Sequence, residues 1–294
     1  MNVSREQILI EALPYIREFH NSIMVIKVGG HAMVDKKIME DIVQDVVLLR
    51  YVGIHPIIVH GGGPEITQKM EMMGKKSEFA AGLRITDDDT LEIARMVLVG
   101  NINTRIVSLI GIFGGKGLGL SGKDGRLIVA KKKAIQRITY EGKEHEVDLG
   151  WVGDVEVINP DILRIAADND YIPVIAPIAV DEQGNSLNIN ADTVAGDIAV
   201  ALKAKKLMLM TDVPGVLRDM KGTNTRISRI GVTQVEDMIN EGIISGGMTP
   251  KIRSAASAVQ RGVKKVHIID GSKSHSLLLE LFTDKGIGTM IYDH

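Results

Sequence analysis

Ile23-Met-Val-Ile-Lys-Val-Gly-Gly30 and His55-Pro-Ile-Ile-Val-His-Gly-Gly-Gly63 follow one plan. Each is a short, largely apolar run rich in Ile and Val, the pattern of a strand covered on both faces, and each ends in consecutive glycines. A helix should follow each turn. Ile38, Ile42, Val43, Val46 and Leu49 recur at helical spacing after the first, and Pro64 opens the second at a position where a missing N–H costs nothing. Strand, glycine turn and helix, repeated, predict a βα succession.

Upstream, Ser4 and Gln7 form a capping-box pattern, and Ile8, Leu9, Ala12, Leu13, Ile16 and Phe19 make an apolar helical stripe with a kink expected at Pro14. Downstream, Thr86-Asp-Asp-Asp89 reads as another capping box, opening a helix that continues through Leu109. Residues 125–158 alternate, with a turn at Glu141-Gly142-Lys143, and predict antiparallel hairpins. From Asn159-Pro160 the βα rhythm returns: a helix to Asp168, a strand from Ile172 to Ala179, a turn at Gly184-Asn185, a helix from Asn190 and a strand from Leu207 to Thr211. A helix after Thr233, another opening at Thr249-Pro250, a strand from Lys265 to Ile269 and a helix from Ser274 to Phe282 complete it. The fold class is α/β: an open, mainly parallel sheet between helical layers, with hairpins on the amino lobe and an amino-terminal helix extension.

Composition narrows the function. The 294 residues carry 35 Lys+Arg against 37 Asp+Glu, so no global basic field exists to collect nucleic acid or anionic lipid. Cys is absent, which excludes disulfide scaffolds, thiolate metal sites and Cys nucleophiles, and fits a cytoplasmic protein. The first twenty residues lack a basic stretch leading into an apolar core, and no stretch approaches eighteen uncharged apolar residues, so neither export nor a membrane span is expected. Gly, at 31 residues, exceeds its usual share and points to tight turns or close backbone approach.

Gly117-Leu-Gly-Leu-Ser-Gly122 matches the dinucleotide fingerprint, and Gly117 to Lys123 most of a P-loop, with Asp124 where Ser or Thr should ligate magnesium. This stretch follows a helix and leads towards a hairpin, so it is expected to be a chain-reversing loop and not a phosphate site. Lys27 with Gly29 and Gly30, and Gly62 and Gly63 after His60, stand instead at the carboxyl ends of predicted strands, where open α/β sheets bind ligands. Arg84, Asn188, Asn190 and Asp192, Thr211, Asp212 and Gly215, and Thr249 and Lys251 are further candidates. Each has a bland reading: Lys27 as strand-end solvation, Arg84 as a surface ion pair, Asn190 and Thr249 as N-caps, Asp212 and Pro214 as a β-turn. No histidine spacing suggests a protein-bound metal.

In combination, K-V-G-G, H-G-G-G, G-L-R-I-T-D, G-L-S-G-K-D-G, L-N-I-N-A-D, T-D-V-P-G-V-L and G-G-M-T-P-K-I resemble, in this order and over essentially the whole chain, the N-acetylglutamate kinases of the amino acid kinase family. The resemblance implies transfer of the ATP γ-phosphoryl group, with Mg2+ carried by the nucleotide, to the side-chain carboxylate of N-acetyl-L-glutamate. It implies Lys27 and Lys251 flanking that group, Asp192 holding both lysines, and N–H groups around Gly29, Gly30, Gly62 and Gly63 binding its oxygens. Arg84 would clamp the substrate α-carboxylate and Asn188 bond near its acetylated nitrogen, while Thr211, Asp212 and Gly215 line the nucleotide site. Residues 21–180 would form the substrate lobe and dimerise, and residues 181–294 would bind ATP.

The amino-terminal helix, residues 1–20, and the tail from Glu280 are similar to those of arginine-inhibited members, which interlace dimers into hexamers. L-Arginine would then lie beside Tyr15, His267, Glu280, Gly286 and Gly288, with Lys285 replacing an acidic residue often found there. Two other readings stay open: a kinase of N-acetyl-aminoadipate, one methylene longer, and a non-catalytic amino-acid sensor.

Overall fold

The computed structural model describes residues 5–80, 82–140, 143–218, 225–283 and 286–293. Ser4, Glu141, Gly142 and Lys285 lie outside them, as do the side chains of Gln7, Ile8, Leu9 and His31, so the readings placed on those residues have no structural counterpart here.

Helix α1 (Arg5–Phe19) runs through Pro14 and leads to β1 (Ile23–Val28). Then come α2 (Lys36–Tyr51), β2 (His55–His60) and α3 (Gly63–Met72), the predicted units. After the small hairpin of β3 (Phe79–Ala80) and β4 (Leu83–Arg84), α4 (Asp88–Arg95) passes through a π-helical segment (Met96–Asn103) into α5 (Thr104–Ile112). Strands β5 (Lys116–Ser121), β6 (Ile128–Lys132), β7 (Gln136–Tyr140), β8 (Lys143–Val147) and β9 (Gly153–Ile158) precede α6 (Asp161–Asp168). Next are β10 (Tyr171–Ala176), β11 (Ile178–Val180), β12 (Ser186–Asn188), α7 (Ala191–Ala201) and β13 (Lys206–Thr211). The chain continues through β14 (Arg229–Gly231), α8 (Val235–Asn240), α9 (Met248–Gln260), β15 (Lys265–Asp270), α10 (Ser276–Leu281) and β16 (Thr289–Tyr292).

Eight strands form one sheet in the order β14-β16-β15-β13-β1-β2-β10-β5, parallel except between β15 and β16. Alternation within each strand sends successive residues to opposite faces, and each face has its own core. Val25, Val59, Leu207 and Ile268 join α6, α7 and α9 on one side; Met24, Ile58, Met208 and Ile269 join α2, α5 and α10 on the other. Strands β12, β11, β6 and β9 make a second sheet, and β7 pairs with β8 in a hairpin.

Several expectations need correction. The Gly117–Gly122 stretch is not a reversing loop: it is edge strand β5, paired with β10 from Tyr171↔Lys116 to Ala176↔Ser121. Its glycines admit a close neighbour, since a Cβ on Gly117 would stand 3.1 Å from Val107 O and one on Gly119 would strike Asn103. The third helix is capped by Asp87, whose carboxylate accepts from Thr90 N, while Thr86 Oγ1 donates to Arg84 O; the helical run continues through Leu109, as expected, to Ile112. Thr249 lies inside α9 and caps nothing, because the helix already begins at Met248. The strand foreseen from Ile172 to Ala179 breaks at Pro177, which lacks an N–H for a ladder, into β10 and β11 of different sheets. Strands β14 and β16 were not foreseen.

The run Asp88–Ile112 is long and apolar enough by composition to cross a membrane. Its residues Val97, Leu98, Ile102, Ile106 and Ile110 are buried in the protein core instead.

Candidate active site

The two glycine turns meet because β1 and β2 are parallel neighbours in register, Val28 opposite His60. Gly61 N donates to Val28 O at 2.8 Å, so the turns leave the sheet side by side. Gly30 holds a φ of +65°, and a Cβ there would collide with Asp212, so only glycine brings the first turn up against the end of β13. Two helices also begin here. Asn190 caps α7 by accepting from Asp192 N and Thr193 N, and Lys251 stands in the first turn of α9. The first turns of both helices, where the partial positive charge lies, meet near the end of β1, Asp192 reaching Lys27 and Lys251 reaching Asp192.

Asp192 lies between two lysines, its Oδ1 2.9 Å from Lys27 Nζ and its Oδ2 2.5 Å from Lys251 Nζ. All three side chains are largely buried. Burial alone would raise the Asp192 carboxyl, but the charges and hydrogen bonds of the two lysines outweigh it and hold the group below the ordinary aspartate value. Lys251 is pulled below the usual lysine range by burial and by the like charge of Lys27, against the opposing pull of Asp192. The result is three charges with a net of +1 in a nearly dry place, where electrostatic interactions are strong.

Lys27, Gly62, Gly63, Arg84, Asn188 and Asp192 line one cavity of about 200 Å³. Arg84 is buried, which excludes the surface ion pair. Its guanidinium donates to Ser77 Oγ at 2.6 Å, Gly63 O at 2.9 Å and Thr67 Oγ1 at 2.8 Å, and stacks 4.7 Å from the Phe79 ring. These partners are neutral; no carboxylate among the described residues pairs with Arg84, so its charge remains to be met by an anion. Asn188 Nδ2 lies 3.4 Å from Thr86 Oγ1 beside it.

Asn190 lines the cavity as well; Gly29, Gly30, Thr211, Asp212, Gly215, Thr249 and Lys251 lie outside its lining. Lys251 joins it through Asp192, Gly29 sits against Lys27 Nζ, and Gly30 against Asp212. Thr211 ends β13, and Gly215 is seated on Thr289, whose Oγ1 accepts from Val216 N, a close approach that by itself explains the glycine. Phe79, Thr67 and Ser77 escaped the sequence reading, since nothing in their spacing connects them with Arg84.

A second cavity, about 510 Å³, collects Tyr15, His267, Glu280, Gly286 and Gly288. Glu280 accepts from His267 Nδ1 at 2.5 Å, Ile287 N at 2.5 Å and Gly288 N at 2.9 Å. Burial lowers His267, and although burial opposes it, hydrogen bonding from His267 and two backbone N–H groups lowers Glu280, so a neutral imidazole faces a carboxylate. Glu18, Lys206, Arg229 and Lys265 also line this cavity and were not foreseen. Lys206 is brought down to about 8 by burial and by the charge of Lys265.

The chain belongs to the amino acid kinase family, whose model matches residues 22–270. It is 72% identical to the acetylglutamate kinase of Methanococcoides burtonii over 99% of this chain and 96% of that one. It is 68% identical to the acetylglutamate kinase of Methanosarcina acetivorans over 100% and 99%, and 55% identical to that of Archaeoglobus fulgidus over 97% and 98%. Among solved structures it is similar to an N-acetylglutamate synthase from Neisseria gonorrhoeae complexed with coenzyme A and N-acetyl-glutamate, at 25% identity and a TM-score of 0.85, covering 99% of this chain and 64% of that one. A carbamate kinase from Giardia lamblia, at 16% identity and a TM-score of 0.64 over 93% of this chain and 99% of that one, shares the fold.

Proposed function

We propose that the chain transfers the γ-phosphoryl group of ATP to the side-chain carboxylate of N-acetyl-L-glutamate, giving N-acetyl-L-glutamyl 5-phosphate and ADP in arginine biosynthesis. Relatives called acetylglutamate kinase, matched from end to end at 55–72% identity, support the substrate. The observation that carries the chemistry is the Lys27–Asp192–Lys251 bridge beside a cavity whose Arg84 lacks a counter-ion among the described residues.

A glutamyl carboxylate, with an ordinary pKa near 4.3, is already ionised at neutral pH and needs no general base. The difficulty is bringing an anion onto a polyanion, and the residues present address charge. Lys27 and Lys251 stabilise negative charge spreading over the transferring group, and Asp192 keeps them from repelling each other out of place. N–H groups of Gly29, Gly30, Gly62 and Gly63 bind its oxygens. Arg84 forks onto the α-carboxylate and Asn188 bonds near the acetylated nitrogen. Thr211, Asp212 and Gly215 lie on the nucleotide side, with residues 21–180 as the substrate lobe and 181–294 as the nucleotide lobe.

Around Lys27 and Lys251 the donor set is cationic, and Asp192 is already engaged twice, which fits a Mg2+ ion held through the nucleotide's own phosphates. Bound there, the ion would neutralise phosphate charge. A cytoplasmic setting, where ATP is at hand, suits this chemistry. The second cavity is proposed to take L-arginine, its guanidinium pairing with Glu280, as a feedback inhibitor, and α1 to join dimers into a hexamer.

The test is to trap acyl phosphate with hydroxylamine while ATP is offered with N-acetyl-L-glutamate, glutamate, aspartate or N-acetyl-aminoadipate. N-Acetyl-L-glutamate should be strongly preferred. Preference for N-acetyl-aminoadipate would move the reading to the longer substrate, and no hydroxamate with any acceptor would favour the sensor.

A further inference from the structure

His60 takes no part in the chemistry above, yet it is fully enclosed at the end of β2, next to the glycines proposed to bind phosphate. Its Nδ1 lies 2.8 Å from Gly61 O, and its Nε2 lies 3.2 Å from Asn103 Nδ2. A carbonyl oxygen only accepts and an amide nitrogen only donates, so these two contacts select one neutral tautomer, with hydrogen on Nδ1 and the lone pair on Nε2. The orientation of the Asn103 amide is itself fixed, because Nδ2 also donates to Val174 O at 2.8 Å, which with His60 Nε2 uses both of its hydrogens, while Leu120 O stands at a longer 3.3 Å. Burial brings His60 down to about 4, which keeps the ring neutral at working pH.

The bond to Gly61 O governs the next peptide group. The Gly61–Gly62 peptide is trans, so its C=O and N–H point in opposite directions. Drawing Gly61 O towards the imidazole therefore turns Gly62 N–H away from it, on a loop whose three glycines line the cavity. Few other N–H groups of this turn are free for that task. Gly61 N donates to Val28 O, and Pro64 has no N–H to offer. The other side of Gly62 is closed by the π-helical segment that ends in Asn103: a Cβ on Gly62 would collide with Ile102 and stand 2.7 Å from Leu98. One segment thus supplies both the amide that sets the His60 tautomer and the apolar wall that holds the loop.

We propose that His60, fixed in its Nδ1–H tautomer by Asn103, is a positioning residue that aims Gly62 N–H at the oxygens of the transferring phosphoryl group; this rests on the phosphotransfer reading above. An N–H directed in advance stabilises developing charge without reorganisation, so its loss should fall on turnover more than on binding.

The experiment uses the full chain. In wild-type protein with 15N-labelled histidine, the His60 ring should show a protonated Nδ1 and a bare Nε2. His60→Leu removes the donor and should lower kcat about tenfold or more while the KM values for N-acetyl-L-glutamate and ATP stay within about twofold. His60→Asn places an amide nitrogen near the position of Nδ1, so it can still donate to Gly61 O and should recover most of the turnover. Equal losses in both variants, or wild-type kcat in His60→Leu, would overturn the proposal. If neither variant folds, the wild-type spectrum still decides: an Nε2–H tautomer in an active enzyme removes the role of His60 alone. A wild type that forms no acyl phosphate removes the phosphotransfer reading and this role together.

Discussion

Lys27 and Lys251 reach the same carboxylate from a strand and from a helix 224 positions further along, and their Nζ atoms stand 2.9 and 2.5 Å from it. Because their charges should matter most when negative charge spreads in transfer, Lys27→Met or Lys251→Met should lower kcat by roughly 100-fold or more with smaller changes in KM. Asp192→Asn should act in the same direction, since it leaves two buried ammonium groups facing each other. Steady-state kinetics checks all three, and near-normal turnover of Lys251→Met would remove the electrostatic centre of the mechanism. Arg84 serves a different task. Arg84→Lys keeps the charge but loses the fork that Ser77, Thr67 and Gly63 hold in place, so the N-acetyl-L-glutamate KM should rise by a factor corresponding to about 1–3 kcal/mol while the ATP KM changes little. A fall in ATP affinity instead would place Arg84 at the wrong substrate.

Among the elements, α2 and the segment opening α10 are joined by a buried acid. Asp45 Oδ1 lies 2.6 Å from His275 Nδ1, and burial lifts the Asp45 carboxyl from 3.8 to about 6. A carboxyl that holds its proton more tightly when folded favours the fold at low pH and loses that contribution as pH rises through its folded value. Asp45→Asn does not titrate. Its stability relative to wild type should therefore grow from about pH 4 to pH 7 and then level off, with an upper size of about 2–3 kcal/mol at 1.36 kcal/mol per unit. Urea unfolding of both proteins across that range measures the difference; an advantage that shrinks as pH rises would contradict the assignment. Asp45 was not singled out in the sequence because it occupies an ordinary polar position in a helical pattern. Only the packing of α10 onto α2 covers it.

For the whole molecule, α1 raises the question of assembly. Phe19 is buried and Tyr15 and Glu18 line the second cavity, yet Ile10 and Leu13 are 67% and 48% exposed. Among the described side chains the helix is covered at Phe19 and open at Ile10 and Leu13, which calls for a partner, and a second copy of α1 would supply one. Deleting residues 1–20 should leave an active dimer with much weaker inhibition by L-arginine, because it would remove Tyr15 from the cavity together with the proposed joint between dimers. In the intact protein L-arginine should raise the N-acetyl-L-glutamate KM. Light scattering and inhibition curves measure both, and an unchanged hexamer with intact arginine sensitivity would mean that α1 is neither joint nor sensor.

The sequence by itself determined the βα succession, because buried parallel strands are continuous apolar runs and the glycine turns that end them are local. It also carried the candidate residues: Lys27, Asp192 and Lys251 stand at predicted strand or helix ends, and Arg84 stands in the G-L-R-I-T-D motif. Tertiary structure decided what they touch. The shared carboxylate between two lysines, the stacking of Phe79 on Arg84 and the tautomer of His60 depend on groups far apart in the chain, and no periodicity encodes such meetings. The same holds for Gly117 to Gly122, where a run that looked like a turn became an edge strand because the helix behind it needed room that only glycine leaves. Local pattern reports the conformation each segment prefers, whereas contacts are fixed by how the segments close on one another, and the proposed chemistry lies in those contacts.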